Sequence, residues 1–366
     1  MGLTAPLMVL LLASAASTGI AAGICPSVHS IYPCKCISTV LGLRVMCSGV
    51  RSPRALTLPF DILAKYPIHT LAMRKINFSI TVDLFSGLNL VSIKILNSVY
   101  RVSEVTNKAH STFLNLEEKL EVLEVSHTTL DFGNTNLGAM RRLTKMSIGD
   151  SSVDVLRKGW FDGLSDLRTF SISNSKLGHV EDEALSGLAN VDNIEIRSCH
   201  LGIIHRNYFP PIAYKHEELD LSDNKLSWLP DNLFTNMPHL QTVVLSRNAF
   251  KVLSPKPWTT WLGQLSRLNL EGNPIVCNHT ISWLLHGELK GKVVGRCAEP
   301  MELAGMSLAD LDDLRYSGRI PRQKHVKERH DEMLDTVGKE TASRKYLLKA
   351  IQYNNTTHRN SNKNTK

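Results

Sequence analysis

The chain has 366 residues, of which 43% are apolar and 6% aromatic, so it is long enough to bury a large core built mainly from aliphatic side chains. Its net charge of +8 lies at one end, because residues 315–366 hold 13 Lys and Arg against 5 Asp and Glu, and the preceding residues are neutral overall. After residue 23 no stretch is apolar enough to cross a bilayer, so the sequence predicts no membrane span.

The first 23 residues resemble a secretory signal. Residues 7–12 are an uninterrupted apolar run, and Ala21, Ala22 and Gly23 offer a small-residue cleavage site. A membrane anchor would need about 20 apolar residues, and Ser14 interrupts the run too early. We therefore expect a secreted, extracellular protein.

The seven cysteines fall into three groups. Cys25, Cys34, Cys36 and Cys47 lie in residues 24–55, and Cys277 and Cys297 lie in residues 276–314. We expect these six to form three disulfides that cap the two ends of the molecule. Cys199 stands apart; we interpret it as a buried free thiol, and the alternative, a reactive thiol, has no neighbouring base in the sequence to support it.

Between the cysteine clusters, residues 56–275 repeat with a period of 22 to 30 residues. The repeated apolar position is occupied by Leu71, Ile93, Leu123, Met146, Phe170, Ile194, Leu219, Val243 and Leu268. Residues 216–240 show the unit most clearly, since a short alternating strand with Leu219 and Leu221 precedes Asn224 and an irregular apolar segment ending at Leu240. This is the leucine-rich repeat signature. It predicts an α/β solenoid shaped as a horseshoe, with about nine repeats and a parallel sheet on the concave side.

The residue at the Asn224 position of each repeat should hydrogen-bond to the turns of the solenoid. It is Asn in Asn224, Asn248 and Asn273, but Ile76, Ser98, Thr128, Ser151, Ser175 and Cys199 in earlier repeats. A carboxamide offers two donors and a hydroxyl one, so we expect the N-terminal half to be held less tightly. The longest spacing contains residues 110–120, whose composition predicts a helical convex segment.

These features closely resemble extracellular leucine-rich repeat proteins with cysteine-rich flanks. The resemblance implies that Cys25 pairs with Cys36 and Cys34 with Cys47, and it places His279 where the C-terminal flank usually has a second cysteine. The opening residues 25–36 are also similar to a narrower group of arthropod proteins, which resemble the non-catalytic leucine-rich subunit of Oplophorus-type luciferin monooxygenase. That resemblance implies binding or stabilising a partner, without catalysis.

Catalytic and metal-binding patterns are missing from the sequence. It contains no G-x-S-x-G, no phosphate-binding glycine loop, no H-E-x-x-H and no C-x-x-C, and its fourteen histidines are scattered. We therefore predict a protein that is not an enzyme and needs no cofactor or metal.

The concave strand positions form the candidate binding surface for a protein partner. Charged residues at these positions grade from basic (Arg74, Lys94, Lys145) to mixed and acidic, and the predicted ligand-binding residues are Glu195, Arg197, Glu218, Asp220, Arg267 and Glu271. The alternative is that any solvated sheet face carries charges. Aromatic anchors are absent from these positions, since the tryptophans fall on the convex side or in its loops: Trp160, Trp228, Trp258 and Trp261.

Secretion makes N-glycosylation sequons relevant. We expect glycans at Asn77, at Asn278 and at Asn354, and we do not expect the adjacent Asn354 and Asn355 to be modified together.

Residues 315–366 form a basic tail with too few apolar residues for a core of its own. We interpret it as a disordered, solubilising tail, or as a binding site for sulfated polysaccharide, and not for nucleic acid. The predicted function is protein recognition by a secreted, non-catalytic repeat protein. The alternatives are a stabilising subunit of a secreted enzyme complex and a matrix component that binds polysaccharide through the tail.

Overall fold

The computed structural model describes residues 23–102, 113–258, 263–285 and 291–311. The predicted signal segment, apart from Gly23, and the basic tail lie outside these residues, as does the sequon at Asn354.

The described chain winds into a solenoid, and from β3 to β12 its strands alternate between two sheets. In chain order the strands are β1 (Cys34–Thr39), β2 (Gly42–Ser48), β3 (Pro67–Arg74), β4 (Asn77–Ile80), β5 (Asn89–Leu96), β6 (Val99–Val102), β7 (Val122–Ser126), β8 (Thr129–Asp131), β9 (Lys145–Gly149), β10 (Ser152–Leu156), β11 (Thr169–Ser173), β12 (Lys176–Val180), β13 (Asn193–Arg197), β14 (Glu218–Asp220), β15 (Thr242–Val244), β16 (Arg267–Asn269), β17 (Ile275–Val276), β18 (Val293–Val294) and β19 (Cys297–Glu299).

The concave sheet has twelve strands in the order β1-β2-β3-β5-β7-β9-β11-β13-β14-β15-β16-β18, and all but β1 run parallel to their neighbours. The nine repeated apolar positions predicted from the sequence form one buried column in register from Leu71 to Leu268. Val45 and Val293 extend the column by one strand at each end. The predicted leucine-rich repeat fold is confirmed, with about ten turns.

A second, five-stranded parallel sheet follows the turn of each early repeat, in the order β4-β6-β8-β10-β12. Sequence periodicity did not predict it, because these strands are short and lie where the repeats have drifted most. The sheet ends at β12, so later repeats cover the convex side with turns and short 3₁₀ segments.

The single α-helix of the described residues, α1 (Arg54–Leu63), follows β2 and closes the first coil. It buries Leu56, Phe60 and Leu63, so the expected boundary between cap and repeats at residue 55 falls inside a helix. Residues 103–112 lie outside the description, and residues 113–120 form turns. The described part of the predicted convex helix is therefore not helical, although Phe113, Leu116 and Leu120 are buried at a helix-like spacing.

Aromatic side chains form a continuous column inside the N-terminal half. Neighbouring ring centroids lie 5.0 to 6.3 Å apart along the series Phe60, Phe85, Phe113, Tyr100, Phe132 and Trp160. Such contacts add to the burial of the rings themselves. The aliphatic core expected from the composition therefore applies to the concave side apart from Phe170, and aromatic rings fill the convex side of the N-terminal half.

Disulfides cap both ends of the solenoid. Cys25 is bonded to Cys36 and Cys34 to Cys47, the pairing that the family resemblance implied. At the other end Cys277 is bonded to Cys297, where β17 pairs with β19. At the first cap β1 runs antiparallel to β2, and β2 pairs with β3, so the hairpin covers the open end of the concave sheet.

Among the described residues, no helix is long and apolar enough to cross a membrane.

Candidate binding surface on the concave sheet

The predicted binding residues lie on neighbouring strands of the concave sheet. Glu195 and Arg197 are on β13, and Glu218 and Asp220 are on β14. The register pairs Asn193 with Glu218 and Glu195 with Asp220, whereas Ile194 and Leu219 between them are buried. The alternation of a strand therefore brings three carboxylates to one part of the surface, and we call Glu195, Glu218 and Asp220 the acidic patch.

The charges of the acidic patch influence the pKa of Glu195. Partial burial raises the pKa of this carboxyl, the positive charge of Arg197 opposes the rise, and the charges of Asp220 and Glu218 add to it. Arg197 Nε lies 2.8 Å from Glu195 Oε1. Arg197 thus pairs with one of the three carboxylates, and Lys145 also opposes the rise in the pKa of Glu195. The two strands β13 and β14 carry three carboxylates and one guanidinium.

Small uncharged side chains border the acidic patch on both sides. In the register, β11 contributes Ser171 and Ser173 before it, and β15 contributes Thr242 and Val244 after it. The surface is therefore shallow, and an approaching side chain can reach the carboxylates without displacing a bulky neighbour.

Arg267 and Glu271 do not join the patch. Arg267 is exposed on β16, two strands beyond β14. Glu271 lies past the end of β16, and its Oε1 is 3.5 Å from Arg296 Nε in the C-terminal cap. The six predicted residues therefore divide into one compact group of four and two separate positions.

The basic end of the predicted gradient is partly neutralised. Lys94 on β5 forms an ion pair with Glu124 on β7, the adjacent strand. Arg74 and Lys145 remain exposed, but several strands separate them. Of the three predicted cations, one is therefore neutralised and two remain as separate charges.

A ladder of hydrogen bonds fixes the turns that follow the concave strands. The backbone N–H of Cys199 donates to Asn224 Oδ1 at 3.0 Å, and that of Asn224 donates to Asn248 Oδ1 at 2.9 Å. In the earlier coils hydroxyls accept in the same way, at 3.1 to 3.3 Å. The backbone N–H of Ile76 donates to the hydroxyl of Ser98, that of Ser98 to Thr128, that of Thr128 to Ser151 and that of Ser151 to Ser175. Each turn is therefore held by the side chain of the next coil.

Cys199 takes part in this ladder as a buried thiol. Its Sγ lies 3.2 Å from the carbonyl oxygen of Arg197, and burial raises the pKa of the thiol to about 11. A thiol with this pKa is protonated at neutral pH and is a poor nucleophile, which supports a structural role.

The two described sequons differ in accessibility. Asn77 is exposed at the start of β4. Asn278 is only 5% exposed, and its Oδ1 accepts hydrogen bonds from the backbone N–H and hydroxyl of Thr280. A glycan on Asn278 would have to displace this packing, so the folded structure disagrees with the expectation for Asn278.

We assign no catalytic or metal site among the residues that the structure describes. Within the described ranges no group of three His, Cys, Asp or Glu side chains is placed to hold a metal ion. A convex cavity of about 300 Å³ is lined by Trp228, Pro230, Phe250 and Trp258 among others. Residues 259–262, which follow directly, lie outside the described chain, and we assign no ligand to this cavity.

Comparison with known proteins supports the assignment of the fold. Residues 141–201 and 217–275 match the family described as leucine rich repeat. The solved structure titled "Crystal structure of TLR13-ssRNA13 complex" superposes with a TM-score of 0.52 at 21% identity, covering 68% of this chain and 34% of that chain. At this identity the likeness concerns the fold alone.

Similar sequences include Transforming growth factor beta activator LRRC33 of Danio rerio, 27% identical over 49% of this chain and 27% of that protein. Trophoblast glycoprotein of Mus musculus is 31% identical over 40% of this chain and 36% of its own length. Leucine-rich repeat-containing G-protein coupled receptor 4 of Mus musculus is 30% identical over 31% of this chain and 12% of its own. The chain therefore spans about a third or less of these relatives.

The fold is that of a leucine-rich repeat protein, and two stretches of the sequence match that family. Beyond this class, the similar proteins have names that describe an activator, a glycoprotein and a receptor, and none of the three names describes an enzyme. The narrower likeness to a luciferin monooxygenase subunit does not appear among these matches.

Proposed function

We propose that this protein is a secreted, non-catalytic recognition module that binds a protein partner through the acidic patch. The observation that supports this most directly is the in-register grouping of Glu195, Glu218 and Asp220 on two adjacent strands, with Arg197 as their nearest cation. A partner with a basic, extended or loop segment would complement this charge. Secretion, and a glycan at Asn77 on the exposed start of β4, belong to the same proposal.

The chemistry of the patch disfavours nucleic acid as its ligand. The structural neighbour is a complex with single-stranded RNA, but RNA-binding surfaces need cations to neutralise phosphates. Here carboxylates occupy the centre of the C-terminal half of the concave sheet. A basic protein segment therefore fits better than a phosphate backbone.

The proposal is tested by reversing the charge of the patch. The variant Glu195→Lys, Glu218→Lys, Asp220→Lys is immobilised beside the wild type, and the stoichiometric partner recovered from the native extracellular fluid is quantified. We expect about tenfold weaker capture or more, because a basic partner would now meet three like charges.

The matched control changes three exposed carboxylates outside the concave strands, with the substitutions Asp61→Lys, Asp154→Lys and Asp166→Lys. It carries the same change in net charge and should capture the partner as the wild type does. Equal capture by the patch variant and the wild type would contradict the proposal. An enzyme activity that co-purifies with the captured partner would favour the alternative role as a subunit of an enzyme complex.

A further inference from the structure

The N-terminal cap exposes an unusual set of apolar side chains. Eight of the twelve large hydrophobic residues that are exposed in the described chain lie before residue 60: Ile24, Val28, Tyr32, Ile37, Val40, Leu41, Met46 and Leu58. Scattered exposed apolar residues need no explanation, but a concentration in one small cap indicates a contact surface.

The tip of the β1–β2 hairpin is the most exposed part of this set. Val40 and Leu41 connect the two strands and are 92% and 69% exposed. Two-residue hairpin turns normally carry Asn, Asp or Gly, because those residues adopt the required backbone. Large apolar side chains at this tip contribute nothing to the core of the molecule, so the fold itself does not account for them.

One face of the same hairpin combines apolar and basic side chains. The register pairs Lys35 with Met46 and Ile37 with Arg44, and all four side chains are exposed. Because side chains alternate between the faces of a strand, these four lie on one face, opposite the disulfide-bonded Cys34 and Cys47. We call Lys35, Ile37, Val40, Leu41, Arg44 and Met46 the cap-hairpin surface.

Charge identifies the kind of partner. From residue 23 to residue 60 the sequence contains Lys35, Arg44, Arg51 and Arg54 but not one Asp or Glu. A second copy docked on the same surface by a two-fold axis would bring these like charges together. An anionic partner would instead neutralise them.

We propose that the cap-hairpin surface docks on an anionic phospholipid membrane, with Val40 and Leu41 entering the interface between headgroups and acyl chains while Lys35 and Arg44 contact the phosphates and carboxylates of the lipids. Apolar groups at the tip and cations at its flanks are the arrangement by which peripheral proteins bind such interfaces. The location at the end of the solenoid leaves the tip free of neighbouring coils. The inference is independent of the function proposed for the acidic patch.

The experiment uses the full chain and measures co-sedimentation with vesicles of phosphatidylcholine, with and without phosphatidylserine. The wild type should bind the vesicles that contain phosphatidylserine. The variant Val40→Ser, Leu41→Ser should bind these vesicles at least about tenfold more weakly, because two apolar side chains no longer enter the membrane. The variant Lys35→Glu, Arg44→Glu should lose the preference for phosphatidylserine.

Matched controls separate this surface from general charge and from the basic tail. Met301→Ser removes an exposed apolar side chain at the opposite end of the molecule, and Lys215→Glu, Lys251→Glu makes the same charge change elsewhere. Both should bind nearly as the wild type does. The tail of residues 315–366 is identical in every variant, so differences among the variants report on the cap.

A second readout guards against misfolded variants. Tryptophan fluorescence of Val40→Trp should shift to the blue on adding phosphatidylserine vesicles, and that of Met301→Trp should not. Unchanged sedimentation of the serine variant, or an unshifted Val40→Trp spectrum, would overturn the proposal. So would a dimer of the free protein that the serine substitutions dissociate, because the surface would then serve a second copy.

Discussion

Tyr100 combines a well-packed aromatic ring with a buried hydroxyl group. Its ring is completely buried between Phe113 and Phe132, yet its hydroxyl finds no hydrogen-bond partner in the structure as described. Burial raises the pKa of this phenol far above its ordinary range. A buried polar group without a partner lowers the stability of the folded protein, and in this case the group is the Tyr100 hydroxyl.

We therefore expect Tyr100→Phe to stabilise the protein. The substitution keeps the ring and removes the unpaired hydroxyl, which should raise the free energy of unfolding by about 1 kcal/mol. Thermal denaturation measures the change, with the exposed Tyr214→Phe as a control that should leave the melting temperature unaltered. A lower melting temperature for Tyr100→Phe would show that the hydroxyl has a partner in solution.

His216 is the first residue of the clearest repeat, and its imidazole makes the stability of the protein depend on pH. The side chain is buried, its Nε2 lies 2.9 Å from the carbonyl oxygen of Leu188, and burial lowers the pKa of the imidazole from 6.5 although the backbone hydrogen bond opposes this. The unfolded chain then binds a proton more readily than the folded one. Stability from this group is present above pH 6.5 and is lost as the pH falls through the folded value.

We expect urea denaturation to show stability declining as the pH is lowered below 6.5. His216→Gln should flatten that part of the profile, because glutamine does not titrate, whereas the exposed His239→Gln should retain it. If the profile of His216→Gln keeps the full slope of the wild type, the decline arises from other groups.

At the scale of elements, the ladder changes its chemistry at Asn224. The Nδ2 of Asn224 donates both to Ile196 of the preceding coil and to Leu221 of its own. Ser175, by contrast, donates only to Ser173 within its own turn, at 2.7 Å. Asn224 is therefore bonded to the preceding coil both as an acceptor and as a donor, whereas Ser175 is bonded to it as an acceptor only.

This difference predicts unequal costs for two alanine substitutions. Asn224→Ala removes the acceptor of the Cys199 N–H and the donor to the Ile196 carbonyl, whereas the Leu221 carbonyl keeps its hydrogen bond from Asn248. The substitution should lower the free energy of unfolding by about 3 kcal/mol. Ser175→Ala leaves chiefly the Ser151 N–H and should cost about 1–2 kcal/mol. Equal losses in denaturant titrations of the two variants would show that the second donor contributes nothing.

The second sheet changes the expectation that the N-terminal half is held less tightly. Where the ladder offers fewer donors, β4, β6, β8, β10 and β12 add backbone hydrogen bonds between the same coils. We now expect hydrogen exchange to show similar protection of the concave strands in both halves. Markedly faster exchange in β3 and β5 than in β14 and β15 would support the original expectation.

The sequence predicted the features that require buried apolar residues. It did not predict the features that depend on local backbone conformation. The column from Leu71 to Leu268 was predictable because every member must be apolar to fill the same position of the coil. The convex strands were not, because Lys176 and Gly178 in β12 follow no apolar alternation. The grouping of Glu195 with Asp220 followed from the register. Glu271 contacts Arg296, which lies 25 residues further on at the equivalent position beside β18. This pair was not predicted, because the repeats predicted from the sequence end at residue 275.

At the scale of the whole molecule, the caps protect the two open ends of the core. The disulfide between Cys277 and Cys297 closes a loop with a sequence separation of 20 residues. Replacing both cysteines by serine should lower the free energy of unfolding by about 3 kcal/mol, because the unfolded chain regains the freedom of that loop. Differential scanning calorimetry tests this. A variant as stable as the wild type would show that packing alone holds the cap.

The two proposed surfaces lie far apart on this scaffold. Six strand spacings separate β2 from β13, or roughly 30 Å at the usual distance between strands. This exceeds the range of charge interactions at physiological salt, about 8 Å. A molecule held by its N-terminal cap would therefore keep its acidic patch available to a partner in solution.

The ladder of hydrogen bonds also implies an order in which the coils of the solenoid fold. Each turn donates its N–H to a side chain that lies 22 to 30 residues further along the chain, from Ile76 and Ser98 to Cys199 and Asn224. During synthesis on the ribosome a coil is therefore incomplete until its successor has emerged. The coils should close one after another behind the growing end, and the disulfide of the C-terminal cap should form last.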